Sequence, residues 1–261
     1  MGEYDIHQLT EMGFSSRIIE NSSSLLINLI KLVEDAQYIR ADEVLVKTDD
    51  FTSEEKRLIR RIFSDGVLAA RQREWGNHGI WRSFRFWSVD EKISYLTRSN
   101  AVIKAITPIA DSVCYGFGSV LGFIRNNGFI PHDDDMDVIV AFHQDGVRSF
   151  QSAKILLMTH LSSCGMSVYN ENKTHFTVNG LDVFIGFVEH DGGVAWYPGR
   201  RNSGLSFHDI FPHKLMEIHG VQVRIPKDTD KYLNSVYGVS WREENSTWSH
   251  SWNLSEYSEY C

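Results

Sequence analysis

The sequence predicts an α+β fold in which helices flank a mixed β-sheet, preceded by a helical N-terminal region. Apolar residues recur at helical spacing through about the first hundred residues. From residue 112 the order becomes strand, helix, strand, and short strand-like runs separated by Asn-Gly and Asp-Gly-Gly turn signals follow. We therefore divide the chain into a helical region over residues 1–94 and a sheet-containing domain over residues 95–261.

Three segments of the N-terminal part predict helices. Residues 15–36, "SSRIIENSSSLLINLIKLVEDA", carry apolar side chains at helical spacing. Residues 52–75, "TSEEKRLIRRIFSDGVLAARQREW", open with a capping-box pattern that is only partly satisfied. A third helix is expected in residues 88–113, where Ser88 is the N-cap and acidic residues occupy the first turn.

The second half predicts a strand–helix–strand unit followed by a meander. In chain order, we expect a strand over 112–118, a helix over 119–128 closed by Gly128, a buried strand over 136–142, a helix at roughly 145–163, and strand-like runs over 166–171, 174–180 and 181–192. This order predicts a mixed sheet because the helices separate some strands while turns join others.

Composition excludes several classes of function. The chain has 261 residues, of which 42% are apolar and 23% charged, as in an ordinary globular protein. Its formal net charge of −8 argues against nonspecific binding of nucleic acid, which requires a basic excess. We therefore expect no nucleic-acid partner.

Cysteine spacing and hydropathy predict a cytoplasmic protein. The three cysteines (Cys114, Cys164 and Cys261) lie far apart, which argues against both a cysteine-rich zinc module and a disulfide framework. The N-terminus has no basic start followed by an apolar core, and no run of 18 apolar residues occurs. We expect reduced thiols and no integral membrane segment.

Four aspartates (Asp133, Asp134, Asp135 and Asp137) stand directly before the apolar run "VIVAF". Most charge runs are solvated turns. Here, however, the chain enters the predicted core immediately after Asp137. The two-residue spacing of Asp135 and Asp137 also places both carboxylates on one face of a strand. Two such carboxylates form a clamp for a divalent cation.

Of two other motif interpretations, the residues exclude an EF-hand and give only weak support to a dinucleotide fold. An EF-hand would begin with the same alternating aspartates, but Val138 stands where the loop needs Gly and Gln144 where it needs a bidentate Glu. A dinucleotide fold is suggested by Gly116, Gly118 and Gly122 after a strand. In that fold the acidic residue follows the apolar strand, whereas here the acids precede it.

A metal-dependent phosphoryl or nucleotidyl transferase explains the pattern better. Such a site needs a tight turn at a helix N-terminus to bind phosphate, which Gly118 and Ser119 supply. It needs two carboxylates on the next strand, Asp135 and Asp137, and a third acid on a neighbouring strand, for which Asp182 in "LDVFIGF" is the candidate. A shared cation would offset the repulsion between these charges.

The stretch "GFGSVLGFIRNNGFIPHDDDMDVIV" strongly resembles the core motif of the LicD family, which includes bacterial phosphocholine transferases and the fukutin-related proteins. The residues in register are Gly118, Ser119, Leu121, Gly122, Arg125, Gly128, Phe129, Ile130, Pro131, Asp133, Asp134, Asp135 and Asp137. "LDVFIG" and "GVQVRIPKDTDKYLNSVYG" resemble later family motifs, so the likeness extends over about residues 95–240. His132 departs from the pattern, since the family usually has Trp there.

The resemblance implies a nucleotidyltransferase fold and the transfer of a phospho-alcohol from a CDP-activated donor to a glycan or glycolipid hydroxyl, with release of CMP. We expect Mg²⁺ or Mn²⁺ as the cofactor. The expected catalytic and metal-binding residues are Asp135, Asp137 and Asp182, and the expected donor-binding residues are Gly118, Ser119, Arg125 and Asp133. Two alternatives stay open: attack at the α-phosphate of a nucleoside triphosphate, and a degenerate, non-catalytic binding module.

Overall fold

A computed structural model of the chain describes residues 6–76, 78–143, 146–147, 149–169, 174–197, 204–245 and 255. The chain divides into two compact units, one of Met1–Trp87 with Pro131–Asp134 and the other of Ser88–Ile130 with Asp135–Cys261. The acidic run is thus shared between the units. The predicted domains, 1–94 and 95–261, stay a prediction.

The first unit is mainly helical and has its own apolar core. Its helices are α1 (Ile6–Glu11), α2 (Ser16–Glu34), α3 (Tyr38–Lys47) and α4 (Ser53–Phe63). Buried leucine, isoleucine and phenylalanine side chains from these helices pack together. The capping box at the start of α4 is complete, because Thr52 and Glu55 each bind the backbone of the other. The expectation of a partial box was therefore wrong.

The predicted helix over 52–75 is too long. After α4, a π-helical turn and a 3-10 turn carry the chain to Arg71, and Gln72 then adopts a left-handed conformation with φ of 54°. A small antiparallel hairpin follows, formed by β1 (Glu74–Gly76) and β2 (Gly79–Trp81). Helical periodicity alone cannot show that the helix ends before Trp75, because an apolar residue in a strand can be buried just as well as one in a helix.

The second unit contains five helices and eight strands in its described residues. They are α5 (Val89–Ile106), β3 (Ser112–Tyr115), α6 (Phe117–Arg125), β4 (Met136–His143), α7 (Phe150–Ser163), β5 (Val168–Tyr169), β6 (Phe176–Val178), β7 (Leu181–Val188), β8 (Val194–Tyr197), α8 (Phe207–Ile210), β9 (Lys214–Ile218), β10 (Val221–Ile225) and α9 (Thr229–Tyr237). The predicted N-cap Ser88 forms a capping box with Glu91.

A six-stranded sheet organises this unit, and its mixed character confirms the prediction. Its order is β3-β4-β7-β6-β5, with β8 also pairing β7. The β4–β7 pair is parallel, while the other pairs are antiparallel. A parallel pair needs a crossover connection, which includes α7. Residues 138–142 and 183–187 are continuously buried, as expected of strands covered on both faces.

Several element boundaries around the glycine-rich turn differ from the prediction. The strand predicted over 112–118 ends at Tyr115, and α6 begins at Phe117 and ends at Arg125. Asn127, rather than Gly128, adopts the left-handed conformation after the helix, with φ of 49°. This is physically reasonable because Asn adopts the left-handed conformation more readily than most residues. The helix predicted from about 145 begins at Phe150.

The thiols of Cys114, which is buried, and Cys164, which is exposed, are free. Cys261 lies outside the described residues. Across the part of the chain that the structure describes, none of the helices combines the length and the apolar character that crossing a membrane requires.

Candidate active site

The turn between β3 and α6 is fastened to Asp137. The backbone N–H of Gly116 donates to the carbonyl oxygen of Asp137 at 3.0 Å, and that of Gly118 donates to its carboxylate Oδ2 at 3.0 Å. In return, the N–H of Asp137 donates to Ser119 Oγ at 2.7 Å. Three hydrogen bonds thus join the turn to the start of β4, and one of them orients the Asp137 carboxylate.

Close packing determines the residues of this turn. A Cβ at Gly116 would lie 2.6 Å from Ile139 Cγ2, so a larger residue there requires a shift. Phe117 has φ of 38°, a costly conformation for a bulky residue, which persists only where its surroundings enforce it. Its N–H donates to the buried Tyr232 hydroxyl at 2.9 Å, and its ring packs edge-on against Phe184. Tertiary contacts therefore hold the turn.

Two of the predicted catalytic residues lie side by side. Asp137 and Asp182 are each the second residue of their strands and occupy paired positions in the parallel β4–β7 ladder. Because adjacent strands are about 4.8 Å apart and paired residues share a face, both carboxylates leave the sheet on the same side. Asp135 immediately precedes β4, two residues before Asp137.

Thr177 of β6 and His175, which directly precedes β6, contact the two carboxylate oxygens of Asp182. Thr177, paired with Asp182 in the β6–β7 ladder, donates from Oγ1 to Oδ1 at 2.6 Å. His175 Nε2 lies 3.2 Å from Oδ2, and its ring packs against Phe184 at a centroid distance of 4.9 Å. The Asp182 side chain is 14% exposed, so these contacts form in a partly desolvated place.

Tyr95 of α5 connects the starts of the two aspartate-bearing strands. Its hydroxyl donates to the carbonyl of Gly180, directly before β7, and it also hydrogen-bonds the backbone of Met136, the first residue of β4. Burial raises the pKa of Tyr95 well above its usual value, and the negative charges of Asp135, Asp182 and Asp137 raise it further. All three carboxylates therefore lie close enough to act on one phenol.

Asp133 lies in the segment Pro131–Asp134, which belongs to the first unit. The carbonyl of Asp133 accepts the N–H of Phe84 at 2.8 Å, and that of Pro131 accepts the N–H of Arg85 at 2.7 Å. The Asp133 carboxylate accepts the N–H of Asp134 at 3.1 Å. The structure therefore gives Asp133 a local role in shaping this loop, and its predicted contact with a donor stays a prediction.

Side chains also hold this loop within the first unit. His132, which stands in place of the Trp usual in the LicD motif, has its Nδ1 2.6 Å from Glu74 Oε1. Asp134 Oδ1 lies 3.1 Å from His78 Nδ1. The sequence pattern did not indicate either pairing, because the partners are far apart along the chain and no periodicity connects them.

Arg125, the last predicted donor-binding residue, lies at the far end of α6 from the turn. It lies seven positions after Gly118, about 10 Å along a helix. Its Nε donates to Asn126 Oδ1 at 3.2 Å. The predicted contact of Arg125 with a donor stays a prediction.

The chemistry of the aspartates fits the predicted Mg²⁺ or Mn²⁺. Asp135, Asp137 and Asp182 supply carboxylate oxygens, the ligand type that both ions prefer. A carboxylate oxygen has two acceptor positions. The hydrogen bonds from Gly118, Thr177 and His175 each use one acceptor position of a carboxylate oxygen.

Sequence reasoning missed Tyr95, His175 and Thr177. Tyr95 carries no detectable signal, because a buried tyrosine on a helix is usual in a core. His175 and Thr177 do carry one, since residues two apart on a strand share a face. Two polar residues on one face of a strand that pairs beside Asp182 indicate side chains that can hydrogen-bond its carboxylate.

The three aspartates, His175 and Thr177 lie within a range that matches a known family. Residues 113–228 match the family model described as "LicD/FKTN/FKRP, nucleotidyltransferase domain". The chain is 28% identical over 142 residues to the Mus musculus protein named "Ribitol-5-phosphate transferase FKTN" and 28% identical over 138 residues to the Homo sapiens protein of that name. Each match covers 50% of this chain but only 29% of the relative.

Among solved structures, the chain is similar to the Elizabethkingia meningoseptica CdnE cyclic dinucleotide synthase with GTP and Apcpp. The sequence identity is 14% and the TM-score 0.31, with 60% of this chain and 63% of the other covered. A likeness of that size carries no functional argument. The family match over residues 113–228 confirms the resemblance that the motif predicted.

Proposed function

Because residues 113–228 match the LicD family model, we propose that the chain is a Mg²⁺- or Mn²⁺-dependent transferase of phospho-alcohols. It moves a phosphoryl-linked alcohol, such as choline, ribitol or glycerol, from a CDP-activated donor to a hydroxyl of a glycan or glycolipid, and CMP is released. The product belongs to cell-surface polysaccharide or glycoconjugate synthesis. The proposed location is the cytoplasm.

One observation carries the proposal most strongly. Asp137 and Asp182 stand at paired positions of two parallel strands, and Asp137 is also bound by the turn that begins α6. Two like charges held together on a rigid sheet are unfavourable without a cation, because each repels the other. The arrangement is therefore best explained by a site built for one.

The chain's residues take the following proposed roles. Asp135, Asp137 and Asp182 hold the cation, which when bound offsets negative charge on the donor phosphates. The acceptor hydroxyl attacks the phosphorus that bears the alcohol, and the bond between that phosphoryl group and CMP breaks. The hydroxyl proton passes to Asp182. CMP leaves with the electrons of the broken bond.

The donor phosphates are proposed to lie at the turn before α6, where a helix N-terminus favours anions. Gly118 and Ser119 are the proposed contacts. Both already bind Asp137, so the turn would position donor and carboxylate together. Asp133 and Arg125 stay proposed donor contacts, and the position of Arg125 at the end of α6 suits a part of the donor remote from the reacting phosphorus.

The test uses the whole chain with Mg²⁺ and, in separate reactions, CDP-choline, CDP-ribitol, CDP-glycerol and CTP. Phosphorus NMR would follow the products. CMP from one CDP-alcohol, abolished by EDTA and by Asp137→Asn, is the expected result. Pyrophosphate from CTP with inert CDP-alcohols would establish the nucleotidyltransferase alternative. Binding of a CDP-alcohol without any turnover, even with glycan acceptors present, would favour the binding module.

A further inference from the structure

His175, the residue before β6, has a polar partner at each of its two ring nitrogens. His175 Nε2 lies 3.2 Å from Asp182 Oδ2, and Nδ1 lies 3.0 Å from Thr174 Oγ1. A neutral imidazole has one donor and one acceptor nitrogen. An ionised carboxylate only accepts, so a hydrogen bond to Asp182 requires the hydrogen on Nε2; in a neutral imidazole, Nδ1 then accepts from the Thr174 hydroxyl.

The position of this imidazole is itself fixed. The His175 side chain is only 15% exposed, and its ring packs against Phe184. The carbonyl of His175 accepts a hydrogen bond at 3.1 Å from the ammonium of Lys154, a lysine that is 4% exposed. A backbone anchor, a ring contact and a hydroxyl partner thus restrict the direction in which Nε2 points.

The Asp182 carboxylate is consequently held from two directions. Thr177 donates to Oδ1 and His175 to Oδ2. Two donors on different oxygens restrain the plane of a carboxylate more tightly than one donor does. Asp137 accepts the N–H of Gly118 on one of its oxygens. Replacing a residue that orients a metal ligand typically lowers metal affinity about 10- to 100-fold.

We propose that His175 is a positioning residue for the cation site: together with Thr177, it fixes the plane of the Asp182 carboxylate so that its oxygens face the same cation as Asp137. This inference rests on the proposed function, because it assumes that Asp182 is a cation ligand. In this role His175 acts through Asp182 and requires no contact with the donor or the acceptor.

The test measures Mn²⁺ binding to the whole protein by calorimetry, without any substrate. His175→Phe keeps a ring against Phe184 and removes the donor, and we expect Mn²⁺ affinity to fall about 10-fold or more. His175→Gln can place an amide N–H near the position of Nε2, and should recover most of the loss. Thr177→Val, which removes the second donor with little change of shape, should weaken Mn²⁺ binding in the same direction.

His160→Leu is the matched control. His160 is also a half-buried histidine, and its Nε2 lies 3.0 Å from the carbonyl of Ala105, far along α5 from Tyr95. This variant should keep wild-type Mn²⁺ affinity even if it unfolds at lower urea concentration. If His175→Phe does not fold, His175→Leu takes its place, with the fold of each variant checked by circular dichroism.

The outcomes separate the inference from the function on which it rests. Wild-type Mn²⁺ affinity in folded His175→Phe, or an equal loss in His160→Leu, would overturn the positioning role while leaving the transferase proposal intact. Failure of the wild-type protein to bind Mn²⁺ or Mg²⁺ would overturn both. Loss in His175→Phe with recovery in His175→Gln supports the role independently of turnover.

Discussion

Asp137 and Asp182 stand opposite each other on neighbouring parallel strands, each one residue inside the strand that carries it. Their backbones are connected by the sheet's own hydrogen bonds, so their separation cannot relax without breaking the ladder. Each carboxylate also accepts hydrogen bonds from outside its strand. The pair is therefore fixed both in distance and in orientation.

Asp137→Asn should abolish turnover while the free energy of unfolding in the absence of metal stays the same or rises. The amide oxygen can still accept the N–H of Gly118, and the repulsion from Asp182 and Asp135 is relieved. CMP release and urea unfolding in EDTA would measure the two effects. Asp111→Asn is the control, since Asp111 accepts the N–H of His143 at the other end of β4. Full activity in Asp137→Asn would refute the assignment.

Ser119→Ala should destabilise the protein by about 1–3 kcal/mol, because it leaves the N–H of Asp137 without its hydroxyl acceptor in a buried place. Affinity for CDP should fall as well, since the turn loses its connection to β4. Chemical denaturation and calorimetry with CDP check both. Ser163→Ala, which removes an exposed hydroxyl from the end of α7, should change neither. A stable Ser119→Ala with wild-type CDP affinity would contradict this account of the turn.

Tyr95→Phe should lower kcat more than it raises KM for the donor. It removes only the hydroxyl that links Gly180 and Met136, so the strand starts lose a connection beside the aspartates. Tyr115→Phe removes another buried hydroxyl, which donates to Asn100, and serves as the comparison. Because the pKa of Tyr95 is raised well above its usual value, it stays protonated where an exposed tyrosine ionises. Equal kinetic effects in both variants would argue against a particular role for Tyr95.

Asp209→Asn should destabilise the protein at neutral pH and progressively less in acid. The hydrogen bond from Lys231 lowers the pKa of Asp209 from 3.8 to about 2, with the N–H of Ser206 next in effect. A carboxyl with a depressed folded-state pKa stabilises above its unfolded value and loses this contribution as the pH falls toward its folded value. Urea midpoints of both proteins at pH 7 and pH 3 test this. A constant difference between them would be inconsistent with the linkage.

The sequence predicts that Asp137 and Asp182 lie near each other because each stands at the start of an apolar run with strand periodicity, which is a local property of the sequence. The same reasoning reaches the mixed sheet, the capped start of α5 and the turn before α6. It overextends the helix at residues 52–75, because the left-handed Gln72 and the buried Trp75 are decided by tertiary contacts. It misses Tyr95 for the same reason, since its partners Met136 and Gly180 are distant in sequence.

Ser119 shows the limit of motif reasoning most clearly. The sequence places its hydroxyl at a phosphate-binding turn, and the structure places it on the backbone of Asp137. Both locations are compatible with the same sequence motif, because a motif records which residues recur and not which atoms they contact.

The parallel pairing of β4 and β7 also has a consequence for biosynthesis. β4 can pair with β3 as soon as both have left the ribosome, but its partner on the other side requires the chain through α7 and β6 to be made first. The aspartates therefore meet late, and a slip of one residue between the strands would turn them to opposite faces. A cation that needs both carboxylates would bind only the correctly registered sheet, and by mass action would favour it over misaligned intermediates.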